Sequence, residues 1–463
     1  MSGVARLEFE AGTLVLDGVP ELEMAPAVRK LVRPDDRVRA FRARACDYAA
    51  LVIALQASGV KLEDRARRFT SLDDLSLAVE LIPRPHQEEA FRAWRDGLFR
   101  GVVSLPTGSG KTILAVMAAA YLKRSALFLV PTLDLLSQWV GVLEHFFGRR
   151  VGMLGGGERE ILDFTVSTYD SAVLNMEFIG NRFGLLVCDE CHHLPGPETR
   201  LAAAMSIAPY RLGLSATPEL PDDRAEVLRD LIGPTLCQIP IDELEGKVLS
   251  PYVTHQIPVS LDPEEEEAYE RNRKIYIGFL RSHQLNFQFK SEWGRFLGLC
   301  ARLPEGRAVF RAFLEQRRIA RGGEAKIRKV WELVARHASE RVIIFTADNA
   351  AAYDLGRRFC WPVITHRTRP GERREFLELF REGVYTVLVT SKVLNEGVDV
   401  PAVAVGIILS GSGSVREHVQ RLGRILRPAP GKAQAVLYEL VSAGTGEESV
   451  SARRREHRAY RNH

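Results

Sequence analysis

Residues Gly101–Leu105, Gly108-Ser109-Gly110-Lys111-Thr112 and Ile113–Ala120 read in order as a buried strand, a glycine loop and a helix. A strand that feeds a helix through glycines commits this part of the chain to an α/β layer. Backbone N–H groups of such a loop point inward at phosphate oxygens, and the helix N-terminus adds a favourable dipole. Lys111 would then reach the β- and γ-phosphates, and the Thr112 hydroxyl would hold Mg²⁺. The usual phosphate loop carries a glycine six residues before its lysine, where this chain has Leu105. A plain strand-to-helix turn with an exposed lysine also accounts for the stretch, so the loop alone leaves both readings open.

The same alternation continues on both sides of the loop. From about residue 84 to 235, strand candidates are Gly101–Leu105, Ala126–Val130, Phe164–Ser167, Leu185–Cys188 and Tyr210–Leu214, with helical stretches between them. A second block, about 326 to 445, offers Val342–Phe345, Val363–Thr365, Thr386–Thr390, Val405–Ile408 and Ala435–Glu439. Each block has the pattern of a parallel sheet covered on both faces, and two in tandem offer a cleft at the carboxyl ends of their strands. Residues 1 to about 80 read as a small α+β module. Its strands lie at Leu14-Val15-Leu16 and around Arg37–Arg44, with a helix over Asp47–Ser58 and another over Ser71–Val79. Between the α/β blocks, about 262 to 322, basic residues alternate with aromatics, among them Arg271, Arg273, Tyr276, Phe279, Trp293, Arg295 and Phe296. This predicts an inserted helical lobe, either a DNA groove or an amphipathic helical hairpin with aromatics in its core and arginines in water. A basic tail closes the chain from Arg453.

The 463 residues suffice for two or three domains, and 46% hydrophobic with 26% charged residues is ordinary for a globular protein. A formal net charge of +4 is too small to imply a nucleic-acid partner by itself. The N-terminus lacks the apolar core of a signal peptide, and no apolar run approaches the ~20 residues of a membrane span. A cytosolic protein with reduced thiols is expected, its six cysteines being scattered. Cys188 and Cys191 form C-x-x-C, but no second ligand pair sits at a matching distance, and the Asp189-Glu190 between them offers a better reason for the stretch.

An apolar strand ending in Asp189-Glu190 suits a nucleoside triphosphatase, with Asp189 anchoring Mg²⁺ and Glu190 orienting or deprotonating the attacking water. Two acids at a strand end also describe a solvated turn; their position about eighty residues after the glycine loop favours the first reading. In Gln420-Arg-Leu-Gly-Arg-Ile-Leu-Arg427, helical spacing puts Gln420, Arg424 and Arg427 on one face. Arginines brought from a neighbouring domain stabilise charge on a transferring γ-phosphate; a solvated basic helix is the alternative. Ser215-Ala216-Thr217 at another strand end could relay a nucleotide-dependent shift.

As an ordered set these stretches resemble the superfamily 2 helicases and translocases over about residues 84 to 445. Arg84-Pro-His-Gln87 looks like the adenine-recognising motif with Gln87 as base reader. Pro106–Thr112 is similar to motif I in the form that dispenses with the early glycine. Pro131-Thr132-Leu133 and Ser167-Thr168-Tyr169 resemble the strand-contacting motifs, Asp189-Glu190-Cys191-His192 a DExH box, and Ser215-Ala216-Thr217 motif III. Asn395-Glu396-Gly397-Val398-Asp399 resembles motif V and Gln420–Arg427 motif VI. The resemblance implies that Arg84, Gln87, Pro106, Thr107, Gly108, Ser109, Gly110, Lys111, Thr112, Gly397 and Asp399 bind ATP. It implies catalytic roles for Lys111, Asp189, Glu190, Gln420, Arg424 and Arg427, and Mg²⁺ at Thr112 and Asp189.

Within that superfamily, Asp189-Glu-Cys-His-His-Leu-Pro195, Ile364-Thr-His-Arg-Thr368, Ser410-Gly-Ser-Gly-Ser414 and Ala435-Val-Leu-Tyr-Glu-Leu440 resemble the XPB-type DNA repair helicases, especially compact archaeal and bacterial ones. The likeness implies two tandem RecA-like domains, at about 81–240 and 241–445. It adds a damage-recognition-like domain at about 1–80, a thumb-like helical insertion at about 255–322 and a tail at 446–463. The activity implied is ATP-driven 3′-to-5′ movement on DNA in repair, with a structure-specific nuclease as partner, in the cytoplasm at the nucleoid. One departure concerns the Arg-Glu-Asp triplet after motif III, thought to wedge strands apart. The corresponding Leu220-Pro221-Asp222 keeps only the last residue. Duplex translocation without unwinding, a nucleotide-switched DNA-binding scaffold and an RNA-directed enzyme are the alternatives.

Overall fold

Ala126–Val130 and Leu185–Cys188 are uninterrupted apolar runs, and both form strands in which every residue is buried. A strand hidden on both faces belongs in the middle of a parallel sheet with helices on each side. The computed structural model describes residues 4–19, 24–217, 220–286, 290–391, 403–411 and 434–455, with the side chains of 290, 291 and 453–455 excepted. The chain divides into two compact units, Met1–Leu244 and Glu245–His463.

In the first unit an eight-stranded sheet runs, edge to edge, Thr235–Gln238, Arg100–Ser104, Tyr210–Ser215, Leu185–Cys188, Ala126–Val130, Phe164–Thr168, Gly152–Gly155 and Glu158–Arg159. Every neighbouring pair is parallel except the last. All the parallel strands therefore release their carboxyl ends, and the loops beyond them, on one side of the sheet. The helix Leu133–Phe147 shows how its cover forms. Thr132 caps it by accepting the Leu135 N–H at 3.3 Å, and Leu136, Trp139, Leu143 and Phe147 make one buried stripe. Gly148, at φ 61°, ends it in the left-handed conformation that glycine tolerates. The strands Gly152–Gly155, Glu158–Arg159 and Thr235–Gln238 are additions to the sequence expectation. They are short elements at or next to the sheet edges, glycine-rich or half-exposed, and carry neither an apolar run nor an alternation.

The N-terminal module is a five-stranded sheet in the order Val32–Asp35, Ala40–Arg44, Thr13–Asp17, Ala5–Glu10, Leu62–Asp64. The helix Tyr48–Ala57 lays Tyr48, Leu51 and Leu55 on its apolar face. The module joins the first α/β domain through shared core. Cys46 packs in the α/β core and Ile207 in the module's core. The Arg44 guanidinium grips Asp230 with bonds of 2.6 and 3.1 Å, and buried Asn181 donates to the Ala66 carbonyl at 2.9 Å. Ser71–Val79 is not the helix its spacing predicts. Its backbone donors go outward, from Leu72 to the Lys123 carbonyl and from Ala78 to that of Phe146, so long-range pairing replaces a helical ladder.

In the second unit a six-stranded, wholly parallel sheet runs Tyr252–Val259, Ala435–Ser442, Val405–Ile408, Val342–Phe345, Val387–Thr390, Val363–Ile364. Tyr252–Val259 corrects the expectation of a helical insertion from about 255. It is β-branched and aromatic, and its Pro258 is tolerated because the strand lies at the sheet edge. The helical lobe begins at Pro263 and consists of Pro263–Ser282, Lys290–Arg302 and Gly306–Gly322. Of its two readings, the structure supports aromatics inside. Tyr276, Phe279, Phe296 and Phe313 form its core, while Arg271, Arg273, Arg281 and Arg295 are exposed.

Candidate nucleotide site

Gly108 and Gly110 both sit at φ 88°, where an L side chain is strained. A Cβ on Gly110 would also fall 2.4 Å from Nε2 of Gln87. The loop between the strand Arg100–Ser104 and the helix Lys111–Leu122 therefore requires its glycines. Leu105, at the usual first-glycine position, is fully buried and donates its N–H to the Ser215 carbonyl at 3.0 Å. Ser109 Oγ closes the loop on the Pro106 carbonyl at 2.7 Å. Thr107 Oγ1 is buried in the loop without a hydrogen-bond partner among the described residues. A neutral donor left this way costs about 1–3 kcal/mol, which a phosphate oxygen would offset.

Gln87 lies at the start of the helix Pro85–Asp96 and is buried. Its Oε1 accepts the Arg84 N–H at 2.9 Å, and its Nε2 donates to the Ser109 and Gly110 carbonyls at 3.0 and 3.3 Å. His86 Nε2 donates to the same Ser109 carbonyl at 2.9 Å. In this conformation the residue expected to read a base holds the phosphate loop instead. Arg84 is exposed, and Thr112 is half-buried in the first turn of the helix after the loop.

The strand Leu185–Cys188 delivers the two acids. Glu190 adopts φ 45°, a left-handed conformation that costs of order 1–3 kcal/mol in a non-glycine residue and marks a site where geometry outranks comfort. Its Oε1 lies 3.1 Å from Lys111 Nζ, and only 11% of either side chain is exposed. This one contact joins loop and acids across 79 residues of sequence. Asp189 is buried beside it. Its Oδ1 accepts the Glu190 N–H at 2.9 Å, its Oδ2 accepts Trp139 Nε1 at 3.0 Å, and its carbonyl accepts the Tyr169 hydroxyl at 2.8 Å. Burial and then the neighbouring Glu190 charge raise its pKa above the usual carboxylate range, while Lys111 and the Trp139 hydrogen bond pull the other way. His192 Nδ1 lies 3.3 Å from Ser215 Oγ and 3.5 Å from Glu190 Oε2, and Ser215 Oγ accepts the Thr217 N–H at 3.2 Å. The acids are thus wired to Ser215-Ala216-Thr217. Cys188 and Cys191 are fully buried in the hydrophobic core, where burial pushes both thiols up.

The structure brings together Gln87, the loop from Pro106 to Lys111, Asp189 and Glu190. Gly397, Asp399, Gln420, Arg424 and Arg427 lie outside the described residues. Sequence reasoning missed Trp139, and saw His86 and Tyr169 only as parts of motifs. For Trp139 a signal existed: an indole N–H on a buried helix stripe must find an acceptor.

Similarity to known proteins agrees with this geometry. Residues 7–66 match the xeroderma pigmentosum group B helicase damage recognition domain, 80–220 the type III restriction enzyme res subunit, and 325–429 the helicase conserved C-terminal domain. A DNA 3′-5′ translocase XPB2 of Sulfurisphaera tokodaii is 37% identical over 421 residues, which cover 91% of this chain and 95% of that protein. A DNA 3′-5′ helicase XPB of Kineococcus radiotolerans is 31% identical, over 80% of this chain and 62% of that longer protein. The crystal structure of the Pyrococcus furiosus Hef helicase domain superposes with a TM-score of 0.52 at 18% identity, covering 80% of this chain and 97% of that one. Two α/β units of this build, with a glycine loop facing paired acids in the first, define the helicase class of nucleoside triphosphatase. Its small N-terminal module and its similarity over nearly the whole length narrow the class: the chain belongs to the XPB family of superfamily 2 helicases and translocases.

Proposed function

We propose that this protein hydrolyses ATP with Mg²⁺ and uses the energy to move 3′ to 5′ on DNA in repair. The observation that carries the reading is the Lys111–Glu190 contact at 3.1 Å, which unites a phosphate loop with a candidate water activator. The two relatives bear the names of a 3′-5′ translocase and a 3′-5′ helicase, and residues 7–66 match a damage recognition domain.

Lys111 pairs with Glu190 at 3.1 Å, and phosphates in the loop would compete for the ammonium and release the carboxylate. Glu190 is then free to accept a proton from the attacking water. The buried Thr107 hydroxyl and the loop N–H groups cradle the phosphates. Asp189 and the Thr112 hydroxyl would hold magnesium, which supplies neutralisation of phosphate charge. Arg84 and Gln87, with Gly397 and Asp399, would contact the rest of the nucleotide. Gln87 would have to leave the loop carbonyls to read adenine. Gln420, Arg424 and Arg427 of the second α/β domain would stabilise charge developing on the γ-phosphate. Pro131-Thr132-Leu133 and Ser167-Thr168-Tyr169 would contact the DNA strand, and a structure-specific nuclease would be the partner. No helix among the described residues is long and apolar enough to cross a membrane.

Lys111→Ala and Glu190→Gln should each abolish DNA-stimulated ATP hydrolysis, a loss of at least about 100-fold, while circular dichroism stays unchanged. Turnover retained by either variant refutes the assignment. Running the wild type with single-stranded DNA, duplex DNA and RNA identifies the nucleic acid. A second reading, duplex translocation without strand separation, is favoured by Leu220-Pro221-Asp222 in place of a strand-separating triplet. ATP consumption without strand release from a labelled fork supports it.

A further inference from the structure

Asp189 is held by three donors, and two of them come from outside the acidic motif. Trp139 Nε1 donates to Oδ2 at 3.0 Å and the Tyr169 hydroxyl to the carbonyl at 2.8 Å; the third, the Glu190 N–H, meets Oδ1 at 2.9 Å. Each carboxylate oxygen thus accepts one hydrogen bond and keeps a lone pair. An indole N–H can only donate, so it favours the ionised acid and resists rotation of the carboxylate. Neither aromatic has room to swing. Trp139 is 1% exposed and packs on Phe128 with ring centres 5.6 Å apart; Tyr169 is 3% exposed.

The two donors reach Asp189 from two different helices. Leu133–Phe147 comes after the strand Ala126–Val130, and Tyr169–Ile179 after Phe164–Thr168, the strand beside it. Both helices start with a threonine cap, Thr132 Oγ1 accepting Leu135 N–H at 3.3 Å and Thr168 Oγ1 accepting Ser171 N–H at 3.2 Å. These caps lie in the two segments assigned to the DNA strand under the proposed function. Tyr169 is the first residue of its helix, and Trp139 lies two turns into the other.

We propose that Trp139, on the carboxylate, and Tyr169, on the main-chain carbonyl, are positioning residues that hold Asp189 for magnesium and carry movement of the two DNA-facing helix starts to it. This rests on the reading of Asp189 as a magnesium ligand. It goes beyond that reading by naming the groups that orient the ligand and the route by which DNA reaches the nucleotide site. Metal ligands depend on such partners, and losing one typically weakens metal binding 10- to 100-fold.

The test is Mn²⁺ binding in the presence of ADP, read by electron paramagnetic resonance on the full chain, with and without duplex DNA. Trp139→Phe should raise the half-saturating Mn²⁺ concentration about tenfold. Tyr169→Phe removes a single oxygen from a side chain of unchanged shape and guards against a tryptophan variant that fails to fold. It should raise that concentration by a smaller factor and reduce the effect of DNA on it. In turnover, excess Mg²⁺ should restore kcat to both variants with the KM for ATP unchanged, a rescue that a merely structural lesion would not show. Folded variants that bind Mn²⁺ as the wild type does overturn the inference and leave the proposed function standing. A wild type that binds no Mn²⁺ with ADP overturns both.

Discussion

Arg211 is the clearest case of a single residue whose role only folding reveals. It lies in the strand Tyr210–Ser215 and is fully buried, with no carboxylate among its hydrogen-bond partners in the described residues. Nε donates to the Ala208 carbonyl at 3.0 Å, Nη1 to those of Ala203 and Leu231 at 3.1 and 2.7 Å, and Nη2 to that of Ser206 at 2.6 Å. Burial draws its pKa down to about 10, still far enough above neutrality to keep it charged at pH 7. One planar fork thereby ties two helix ends and a loop beneath the strand that leads to Ser215. Arg211→Lys keeps the charge but cannot span four carbonyls, and should cost on the order of 3 kcal/mol in chemical denaturation. Nothing in the surrounding residues announces this, because a lone arginine in a strand reads as an exposed edge. Lys111, Asp189 and Glu190 were legible for the opposite reason: their chemistry demands fixed neighbours in sequence, a glycine loop for one and an apolar strand end for the others.

At the scale of elements, legibility went with burial. Ala126–Val130, Leu185–Cys188, Val342–Phe345 and Val405–Ile408 are central strands, hidden on both faces, and form over the residues predicted for them. Edge strands such as Thr235–Gln238 and Tyr252–Val259 were missed, since half-exposed backbone imposes little on composition. The strand pair Val32–Asp35 and Ala40–Arg44 shows how charge adds to an edge whose Val32 and Ala43 already lie in the module's core. Asp35 accepts from Arg37 at 2.8 and 2.9 Å and from Arg42 at 2.7 Å. The Arg37 and then the Arg42 hydrogen bonds hold its carboxyl far below the usual range. A depressed acid stabilises the fold above the unfolded-state pKa of about 4, and that contribution fades as the pH falls further. Thermal melts between pH 7 and pH 2 should therefore show a steeper acid loss for the wild type than for Asp35→Asn. Equal slopes would show that the pair contributes nothing.

On the scale of the whole molecule, the N-terminal module and the first α/β domain behave as one body. Cys46 and Ile207 each sit in the other's core, and a Cβ on Gly12 would strike Met205 at 2.8 Å, which is the closeness of a packed interior. Removing residues 1–66 should uncover Met205 and Ile207, lower the melting temperature of the first unit and promote aggregation; a shortened chain with unchanged melting would contradict the shared core. The sequence by itself determined local matters: which runs must be buried, which turns need glycine, and which charged residues a phosphate site must carry. These stem from side-chain hydrophobicity and backbone sterics, which act over a few residues. Only the tertiary structure decided the long-range ones. It set the fate of Ser71–Val79, the grip of Trp139 and Tyr169 on Asp189, and the meeting of Lys111 with Glu190, because the partners of a buried polar group are chosen by packing and not by position along the chain.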